Sequence, residues 1–349
     1  MTWHVLLTHL LFAGCLTALS AGISWMMLRR ARIIDIPNER SSHARPVPKC
    51  GGISIVAVFF IGVLSIYWMG DGSQIGQGYF LGFILSAFTV ASISYADDVN
   101  SRPIHVRLVI QLVASLIVVS VGLTLETVML PFLGAVELGW LGYAITIVWI
   151  VGLTNAYNFM DGLDGLAAGV AVIVAVFFMF ITWQQGSLFV YINSYAILAG
   201  ALGFLFFNVS PARIFMGDVG SAFLGFVFAT LAIIAARYDV SHTSLLVMPL
   251  LLFNFIYDTA FTFFRRLLAG DRVTHAHRTH LYQLCNRLGL SHRAVSMTQY
   301  GMCVVQGFAA IWMASLPRED RWLVFVPFVI CYGIYSWVVV SKAKRRGLV

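Results

Sequence analysis

The chain has 349 residues, of which 60% are hydrophobic and only 11% are charged, and its mean hydropathy is +0.86. A soluble protein of this size needs about 25% charged residues to cover its surface, so this composition excludes a soluble globular domain. The formal net charge of +7 fits loops beside anionic lipid headgroups and requires no nucleic acid partner. We therefore predict an all-α, polytopic transmembrane helical bundle that forms one integral membrane domain over residues 1–349.

Apolar runs of about 20 residues are long enough to span a bilayer, and they recur along the whole chain. They predict about eleven transmembrane helices, at residues 3–28, 51–69, 78–96, 105–123, 138–154, 165–184, 188–207, 219–236, 243–264, 294–316 and 322–340.

The distribution of Lys and Arg predicts the orientation of the bundle. If the N-terminus lies outside, 19 of the 22 Lys and Arg residues fall in the inner segments and only Arg237, Arg318 and Arg321 fall outside. Cytoplasmic loops retain positive charge, so we expect an outside N-terminus and a cytoplasmic C-terminus. The five cysteines lack metal-ligand spacing and are interpreted as reduced packing residues.

The first inner segment contains Lys49, which follows Pro46-Val47-Pro48 and precedes Gly51-Gly52. Proline stiffens the backbone, and paired glycines allow close backbone approach. One interpretation is a stiff connector whose charges face lipid. The other is a basic patch that binds a phosphate head group at the membrane surface.

Two adjacent acids, Asp97 and Asp98, come directly after an apolar run that ends at Ala96. The negative end of the helix dipole makes this position unfavourable for acids. Adjacent helical side chains point about 100° apart, so the two acids are expected to have different roles. The alternatives are a cation or general-base role and solvated acids that pair with Arg102.

The next inner segment carries four polar residues at intervals of three: Asn155, Asn158, Asp161 and Asp164. This spacing places them near one face of a helical turn, while Gly162 and Gly165 indicate that part of the segment is a tight loop. A polar turn between helices is the simpler interpretation, but two amides and two carboxylates exceed what a turn needs.

Asp218 stands at the start of an apolar helix, after Asn208 and Arg213. An acid at that position is either an ordinary helix cap or a functional ligand. Asp258 lies within an apolar run, where a charge is a functional candidate by default, although a pair with Arg265 or Arg266 would also satisfy it.

The last large loop contains His275, His277, Arg278 and His280. These residues would bind metal or phosphate, or would form a solvated loop. Across all inner segments the sequence gathers acids, cations and histidines at one membrane surface. Carboxylates suit Mg²⁺ or Mn²⁺, which bind through one or two carboxylates plus substrate phosphates. The chemistry alone predicts metal-assisted phosphoryl transfer between a nucleotide compound and a lipid phosphate.

At these residues the sequence resembles the polyprenyl-phosphate N-acetylhexosamine-1-phosphate transferases, the superfamily of MraY and WecA. Within it, the chain is most similar to bacterial enzymes that initiate O-antigen synthesis. The resemblance runs from Asp35 to about Arg287. Its motifs are His43…Pro46-Val47-Pro48-Lys49…Gly51-Gly52; Asp97-Asp98; Asn155-xx-Asn158-xx-Asp161-Gly162-x-Asp164-Gly165; Asn208…Pro211-Ala212-Arg213…Gly217-Asp218-x-Gly220-Ser221; and Asp258…Arg265-Arg266.

The resemblance implies a reaction in a bacterial inner membrane: UDP-N-acetylaminosugar plus undecaprenyl phosphate gives undecaprenyl-diphosphate-sugar plus UMP, with Mg²⁺ (or Mn²⁺) and an active site on the cytoplasmic face. Asp97 or Asp98 would deprotonate or position the lipid phosphate, and Asp218 with Asp98 would ligate the metal. The implied substrate-binding residues are Lys49, Asn155, Asn158, Asp161, Asp164, Asn208, Arg213, His277, Arg278 and His280. In-line attack and a two-step route through an aspartyl intermediate both stay open, as does a homodimer.

The chain departs from the family pattern in one place. Family members often carry His-x-His-His in the last large loop, whereas this chain keeps His280-Leu281 and then reads Tyr282-Gln283. We predict that Arg278 and His280 contact the diphosphate and that Tyr282-Gln283 help set the sugar preference. The alternatives are a transferase of peptidoglycan precursors (MurNAc-pentapeptide), a secondary transporter and a structural membrane scaffold.

Overall fold

The structure is a computed structural model that describes residues 3–30, 33–37, 45–69, 75–100, 103–130, 134–272 and 277–349. Its helices are α1 (Trp3–Arg29), α2 (Ile53–Met69), α3 (Gln77–Asn100), α4 (Ile104–Ser120), α5 (Leu141–Phe159), α6 (Leu166–Gln184), α7 (Phe189–Asn208), α8 (Asp218–Ile233), α9 (Val247–Leu251), α10 (Phe253–Leu268), α11 (Leu281–Arg287), α12 (His292–Ser315) and α13 (Phe325–Arg345). Its short strands are β1 (Ile34–Asp35), β2 (Val47–Pro48), β3 (Thr127–Leu130) and β4 (Gly134–Glu137), which pair as two antiparallel hairpins, β1 with β2 and β3 with β4.

The predicted helical bundle is confirmed, with local differences. Within the described residues, six helices are long and apolar enough to cross a membrane, and two shorter apolar ones cover Ile53–Trp68 and Ile104–Ser120. The chain is therefore a multi-pass helical membrane protein, while the total of eleven spans and the orientation stay predictions. The prediction of one continuous helix over 243–264 is wrong, because α9 ends at Leu251 and α10 begins at Phe253. The two hairpins and α11 were not predicted.

Helix α8 forms the centre of the bundle, and 94% of its apolar span is buried. It packs against α2, α3 and α5. Small residues permit this close packing, as in other membrane helices: a Cβ added at Gly225 would lie 2.9 Å from the Thr154 Cα of α5. The end of α8 at Asp218 therefore lies beside the start of α2 and the ends of α3 and α5.

The paired glycines before α2 bring the backbone of residues 51–52 against the start of α8. A Cβ added at Gly52 would overlap the Gly220 Cα. The Gly51 and Gly52 amides donate to the carbonyls of Phe215 and Met216, each at 2.9 Å. This backbone pairing confirms the predicted close approach and fixes Lys49 beside α8.

The C-terminal residues lie at the same end of the bundle as α11. The Arg287 guanidinium donates to the Leu348 carbonyl at 3.3 Å, and that of Arg346 donates to the Leu288 carbonyl at 2.9 Å. Helix α11 in turn touches the end of α5, since the Tyr282 hydroxyl donates to the Phe159 carbonyl at 2.9 Å. The predicted polar segments thus share one end of the bundle.

Candidate active site

Asp98 caps helix α8. Its Oδ1 accepts the Asp218 amide at 3.0 Å and its Oδ2 accepts the Val219 amide at 2.9 Å. Gly217 makes room for this carboxylate: its φ is +76°, and an added Cβ would lie 2.6 Å from the Asp98 Oδ2. The positive end of the α8 dipole therefore stabilises the Asp98 carboxylate. The negative end of α3, the helix to which Asp98 belongs, would destabilise it.

Lys49 completes the environment of Asp98. Its Nζ lies 2.7 Å from the Asp98 Oδ1, and its side chain is only 28% exposed. Burial favours the neutral amine, but the charges of Asp98 and Asp218 outweigh it and hold the pKa of Lys49 above its ordinary value. Lys49 is therefore a fixed cation at the carboxylate cluster, as the phosphate-binding interpretation requires.

Asp97 and Asp218 share a second cation. One Arg107 nitrogen lies 2.5 Å from the Asp97 Oδ2 and 2.8 Å from the Asp218 Oδ2. Asp97 is 3% exposed, so the interpretation as solvated acids is wrong, and Arg102 lies outside the described residues. As expected from their spacing, the two adjacent acids have different partners: Asp98 contacts Lys49 and α8, whereas Asp97 contacts Arg107.

Asp218 is not the cap of its own helix. Gly217 occupies the N-cap position of α8, and it has no side chain with which to cap the helix. The Asp218 Oδ1 instead accepts the Asn158 amide at 3.1 Å, and Asn158 also donates to the Ser221 hydroxyl at 2.8 Å. The capping interpretation of Asp218 is therefore wrong, and its carboxylate faces the cluster.

Asp161 lies in the turn after α5, where Gly162 and Gly165 had indicated a loop. Burial, with the nearby charges of Asp218 and Asp98, raises its pKa to about 7. Its neutral and ionised forms are therefore close in free energy near neutral pH. Asp161 therefore lies within electrostatic range of Asp98 and Asp218.

The donor chemistry of this cluster fits a hard divalent cation. Among the described residues, no three acid, histidine or cysteine side chains converge as a self-sufficient metal site. Mg²⁺ usually takes only one or two protein carboxylates and completes its shell with water and phosphate. Asp218 and Asp97 face the same Arg107 nitrogen and suit that role, whereas the two oxygens of Asp98 already accept two amides and Lys49. The structure therefore favours Asp97 over Asp98 as the partner of Asp218.

Asn155 lies beside the cluster, in a cleft between α3, α4, α5 and α8. Its amide donates to the Gln111 Oε1 at 2.6 Å. The wall of this cleft includes Asp97, Arg107 and Asp218. Asn155 therefore faces the Arg107 side of the cluster.

Three predicted substrate-binding residues serve the local fold. Asn208, 3% exposed, accepts the Gly165 amide at 3.1 Å and donates to the Ile214 carbonyl at 2.9 Å. Asp164 accepts the Ala212 amide at 3.2 Å and lies 3.2 Å from the His292 Nδ1. Burial opposes ionisation of Asp164, but His292 and that amide hold its pKa below its ordinary value. Arg213 is exposed and packs 4.9 Å from the ring centre of Phe207.

The last large loop is organised by Asp258. Its oxygens accept the Leu281 and Tyr282 amides at 2.8 and 3.0 Å, and the His280 Nδ1 lies 3.2 Å away. Asp258 thus caps α11, while Arg265 donates to the Thr279 carbonyl at 2.6 Å. The interpretation of Asp258 as simply the partner of Arg265 or Arg266 is therefore replaced by a capping role.

The histidines of this loop stack on one another. The rings of His277 and His280 lie 5.0 Å apart. Burial, the neighbouring His280 and the nearby arginines lower the pKa of His277 to about 4, so it is neutral at pH 7 and would contact a phosphate only as a neutral ring. Arg278 is half-buried beside them. His43 and His275 lie outside the described residues.

Tyr282 and Gln283 stabilise the loop itself. Tyr282 is fully buried, with its hydroxyl on the Phe159 carbonyl, and Gln283 accepts the His280 amide at 3.3 Å. Tyr282 and Gln283 would therefore influence the sugar preference indirectly, by fixing the positions of His280 and of the turn after α5.

Sequence reasoning missed Arg107 and Gln111 as site residues. A sequence signal was available for both: a single arginine and a glutamine four residues later stand in the largely apolar helix α4. Charged and polar residues within a membrane span are functional candidates. The prediction had used Arg107 only as a count of positive charge.

The fold and site define a multi-pass membrane protein whose carboxylates and cations converge where several helix ends meet. The profile of glycosyl transferase family 4 matches residues 80–236. The chain is 33% identical over 320 residues to a probable undecaprenyl-phosphate N-acetylglucosaminyl 1-phosphate transferase of Bacillus subtilis, covering 90% of this chain and 85% of that relative. The chain therefore belongs to the family of this relative, the polyprenyl-phosphate N-acetylhexosamine-1-phosphate transferases, as its sequence motifs had indicated.

Two further relatives extend the comparison. A decaprenyl-phosphate N-acetylglucosaminephosphotransferase of Mycobacterium tuberculosis is 28% identical over 366 residues, covering 97% of this chain and 89% of the relative. A phospho-N-acetylmuramoyl-pentapeptide-transferase of Listeria monocytogenes is 46% identical over 110 residues, covering 31% of this chain and 34% of the relative.

Proposed function

We propose that this protein transfers an N-acetylaminosugar-1-phosphate from a UDP-sugar to undecaprenyl phosphate, giving undecaprenyl-diphosphate-sugar and UMP. The reaction would begin the synthesis of O-antigen or another cell-surface polysaccharide. The observation that carries the proposal is the convergence of Asp97, Asp98 and Asp218 with Lys49 and Arg107. Fixed cations beside carboxylates suit two phosphorylated substrates that repel each other.

The chemistry needs little covalent participation by the protein. An oxygen of the lipid phosphate attacks the sugar-bearing phosphorus of the UDP-sugar. The bond from that phosphorus to the bridging oxygen breaks, and UMP leaves with that oxygen. Positioning and charge stabilisation are the main contributions that an enzyme makes to such a transfer.

Each residue of the cluster then has a defined task. Lys49 binds a phosphate of the UDP-sugar beside Asp98, which itself holds the start of α8 in place. Arg107, which contacts Asp97 and Asp218, faces the phosphate of the second substrate, undecaprenyl phosphate. Asp97 or Asp98 would deprotonate or position the lipid phosphate. Asp161 lies near enough to Asp98 and Asp218 for their charges to help raise its pKa to about 7.

We propose Mg²⁺ as the cofactor, with Mn²⁺ as a substitute. Asp218 and Asp97 would hold it, and Asn158 would orient Asp218 through its 3.1 Å hydrogen bond. Bound there, the cation would neutralise negative charge on the diphosphate.

The positive-inside distribution of Lys and Arg supports a cytoplasmic site in a bacterial inner membrane. The peptidoglycan-precursor alternative is less well supported, since that relative matches only 31% of this chain. The transporter alternative is disfavoured because Asp97, Asp98, Asp161, Asp164 and Asp218 all lie at one end of the bundle.

Release of UMP in membranes tests the proposal. Membranes that contain the protein, given undecaprenyl phosphate and a panel of UDP-N-acetylaminosugars, should release UMP with at least one sugar. Release should stop with EDTA and resume with Mg²⁺ or Mn²⁺. Absence of UMP release with every UDP-sugar, or full release in EDTA, would overturn the proposed reaction or its metal dependence, respectively.

A further inference from the structure

Helix α12 carries three polar side chains at intervals of four residues: His292, Ser296 and Tyr300. This spacing places them on one face of the helix. These three side chains, the α12 stripe, all contact residues 164–165 in the turn between α5 and α6. Polar residues in a helix of a membrane protein are functional candidates, so the contact between the stripe and this turn requires an explanation.

Each residue of the stripe makes one contact with the turn. The His292 Nδ1 lies 3.2 Å from the Asp164 Oδ1. The Ser296 hydroxyl donates to the Asp164 carbonyl at 2.9 Å, and the Tyr300 hydroxyl donates to the Gly165 carbonyl. Two of the three partners are backbone carbonyls, so the stripe fixes the path of the main chain in the turn.

Two glycines make room for the Tyr300 side chain. A Cβ added at Gly169 would overlap the Tyr300 ring, and one added at Gly165 would lie 3.1 Å from the Tyr300 hydroxyl. Gly165 also has a φ of +72°, which favours glycine, and its amide donates to the Asn208 Oδ1 at 3.1 Å. Side chains of α7 and α12 therefore hold both backbone groups of Gly165.

Asp164 connects the stripe to the segment before α8. Its Oδ2 accepts the Ala212 amide at 3.2 Å, while its Oδ1 faces His292. The stripe therefore joins the turn after α5 to the segment that leads into Asp218.

The same turn carries Asp161, three residues before Asp164. The charges of Asp218, Asp98 and Lys49 all act on the Asp161 carboxyl, so Asp161 lies near the part of the cluster that contains Lys49. In the proposed reaction Lys49 binds a phosphate of the UDP-sugar. A shift of the turn would therefore disturb the binding of the UDP-sugar.

We propose that His292, Ser296 and Tyr300 are positioning residues for the UDP-sugar. They act through the turn: by holding residues 164–165 they determine where Asp161 lies beside Lys49. This inference rests on the proposed function. A stripe that only fastened α12 to the bundle would change the stability of the protein but not the affinity of the folded protein for one substrate.

Two mild substitutions and a matched control test the inference. Ser296→Ala and Tyr300→Phe each remove one hydroxyl and its hydrogen bond to the turn. With UMP release as the assay, each should raise the KM for the UDP-sugar about fivefold and leave the KM for undecaprenyl phosphate unchanged. Thr298→Ala also removes a hydroxyl from α12, but Thr298 is exposed and donates to the Ala294 carbonyl of its own helix, so it should change neither KM.

His292 supplies an independent test with a conservative variant. His292→Leu removes the polar contact with Asp164 and should also raise the KM for the UDP-sugar, whereas His292→Asn keeps an N–H donor near the position of Nδ1 and should restore most of the affinity. The two hydroxyl deletions decide the question even where His292→Leu does not accumulate in the membrane.

Three results would overturn the positioning role at normal membrane levels of the variants. They are an unchanged KM for the UDP-sugar in Ser296→Ala and Tyr300→Phe, an equal rise in the KM of both substrates, or a lower Tm with wild-type KM values. The wild-type protein separates the two claims: if it releases no UMP, the proposed function fails, whereas release with the wrong KM pattern rejects only this inference.

Discussion

At the scale of single residues, the acidic side chains of the site have two different roles. Asp98 and Asp258 each cap a neighbouring helix, α8 and α11, through two backbone amides. Asp97 and Asp218 instead face Arg107. Sequence position alone did not separate these roles, because a capping acid and a ligand both occur at helix ends.

Asp218→Asn tests the metal-binding role. Asn caps a helix nearly as well as Asp, and Asp218 is not the cap in any case, so the variant should insert and fold normally. It loses the charge that a divalent cation needs, and activity should fall about 100-fold or more. UMP release at matched membrane levels measures this, and near-wild-type activity would remove Asp218 from the metal site.

Asp161→Asn tests the electrostatics of the cluster. Because the pKa of Asp161 is raised to about 7 in the folded protein, its stabilising effect is greatest at acid pH and is lost as pH rises through 7. In detergent with EDTA, the wild-type Tm should fall between about pH 4 and 7 more steeply than the Tm of Asp161→Asn. Glu319→Gln is the control: Glu319 is exposed, so its removal should leave this slope unchanged. Identical slopes in all three proteins would contradict the assignment.

Arg278→Lys tests the last large loop. If Arg278 grips the UDP-sugar diphosphate bidentately, the variant keeps its charge but loses the fork, and kcat/KM for the UDP-sugar should fall strongly. If the loop only faces anionic lipid, the kinetics should not change. Equal kcat/KM values for variant and wild type would exclude Arg278 from the UDP-sugar site. That site would then consist of Lys49, Arg107 and the carboxylates.

At the scale of elements, glycine positions determine how closely the helices meet. Gly52 and Gly220 bring the start of α2 onto α8, and Gly217 admits the Asp98 carboxylate. These contacts place Lys49 and Asp98 within 2.7 Å. The site is therefore a product of backbone approach as much as of its charged side chains.

Gly52→Ala should disturb this approach. The added methyl overlaps the Gly220 Cα, which is backbone and has no other rotamer. We expect α2 to shift away from α8, with a lower Tm and loss of UMP release. Gly152→Ala in α5 is the matched control, since nothing lies within 4 Å of its added Cβ, and it should be neutral or slightly stabilising. Equal behaviour of the two variants in a thermal-unfolding assay would contradict the proposed role of the contact.

At the scale of the whole molecule, the charge distribution predicts the topology. With 19 of 22 Lys and Arg residues on one side, a reporter fused after Val349 should be active only if it is a cytoplasmic type. The contacts of Arg287 and Arg346 place the C-terminal residues at the same end as α11. Periplasmic reporter activity would therefore reverse the side assigned to the active site as well as the helix count.

Composition and hydropathy were sufficient to predict most of the long helices, because their apolar runs are about as long as a bilayer is thick. The break at Leu252 was not predicted, since apolar residues continue through it. The sequence predicted many of the residues that form the site but not the contacts between them. Asn208 and Asp164 satisfy backbone amides that only the folded chain brings near them, and Arg107 acquires its role from a contact between α4 and α8.

The most direct test of the central claim is to follow each phosphorus of the donor. UDP-N-acetylaminosugar labelled at the sugar-bearing phosphorus is incubated with undecaprenyl phosphate, Mg²⁺ and the protein, and the lipid fraction is extracted. We predict that this label enters the lipid, whereas a label on the other phosphorus leaves as UMP. Transfer of sugar to the lipid without the label, or appearance of the label in released UDP, would contradict a sugar-phosphate transferase.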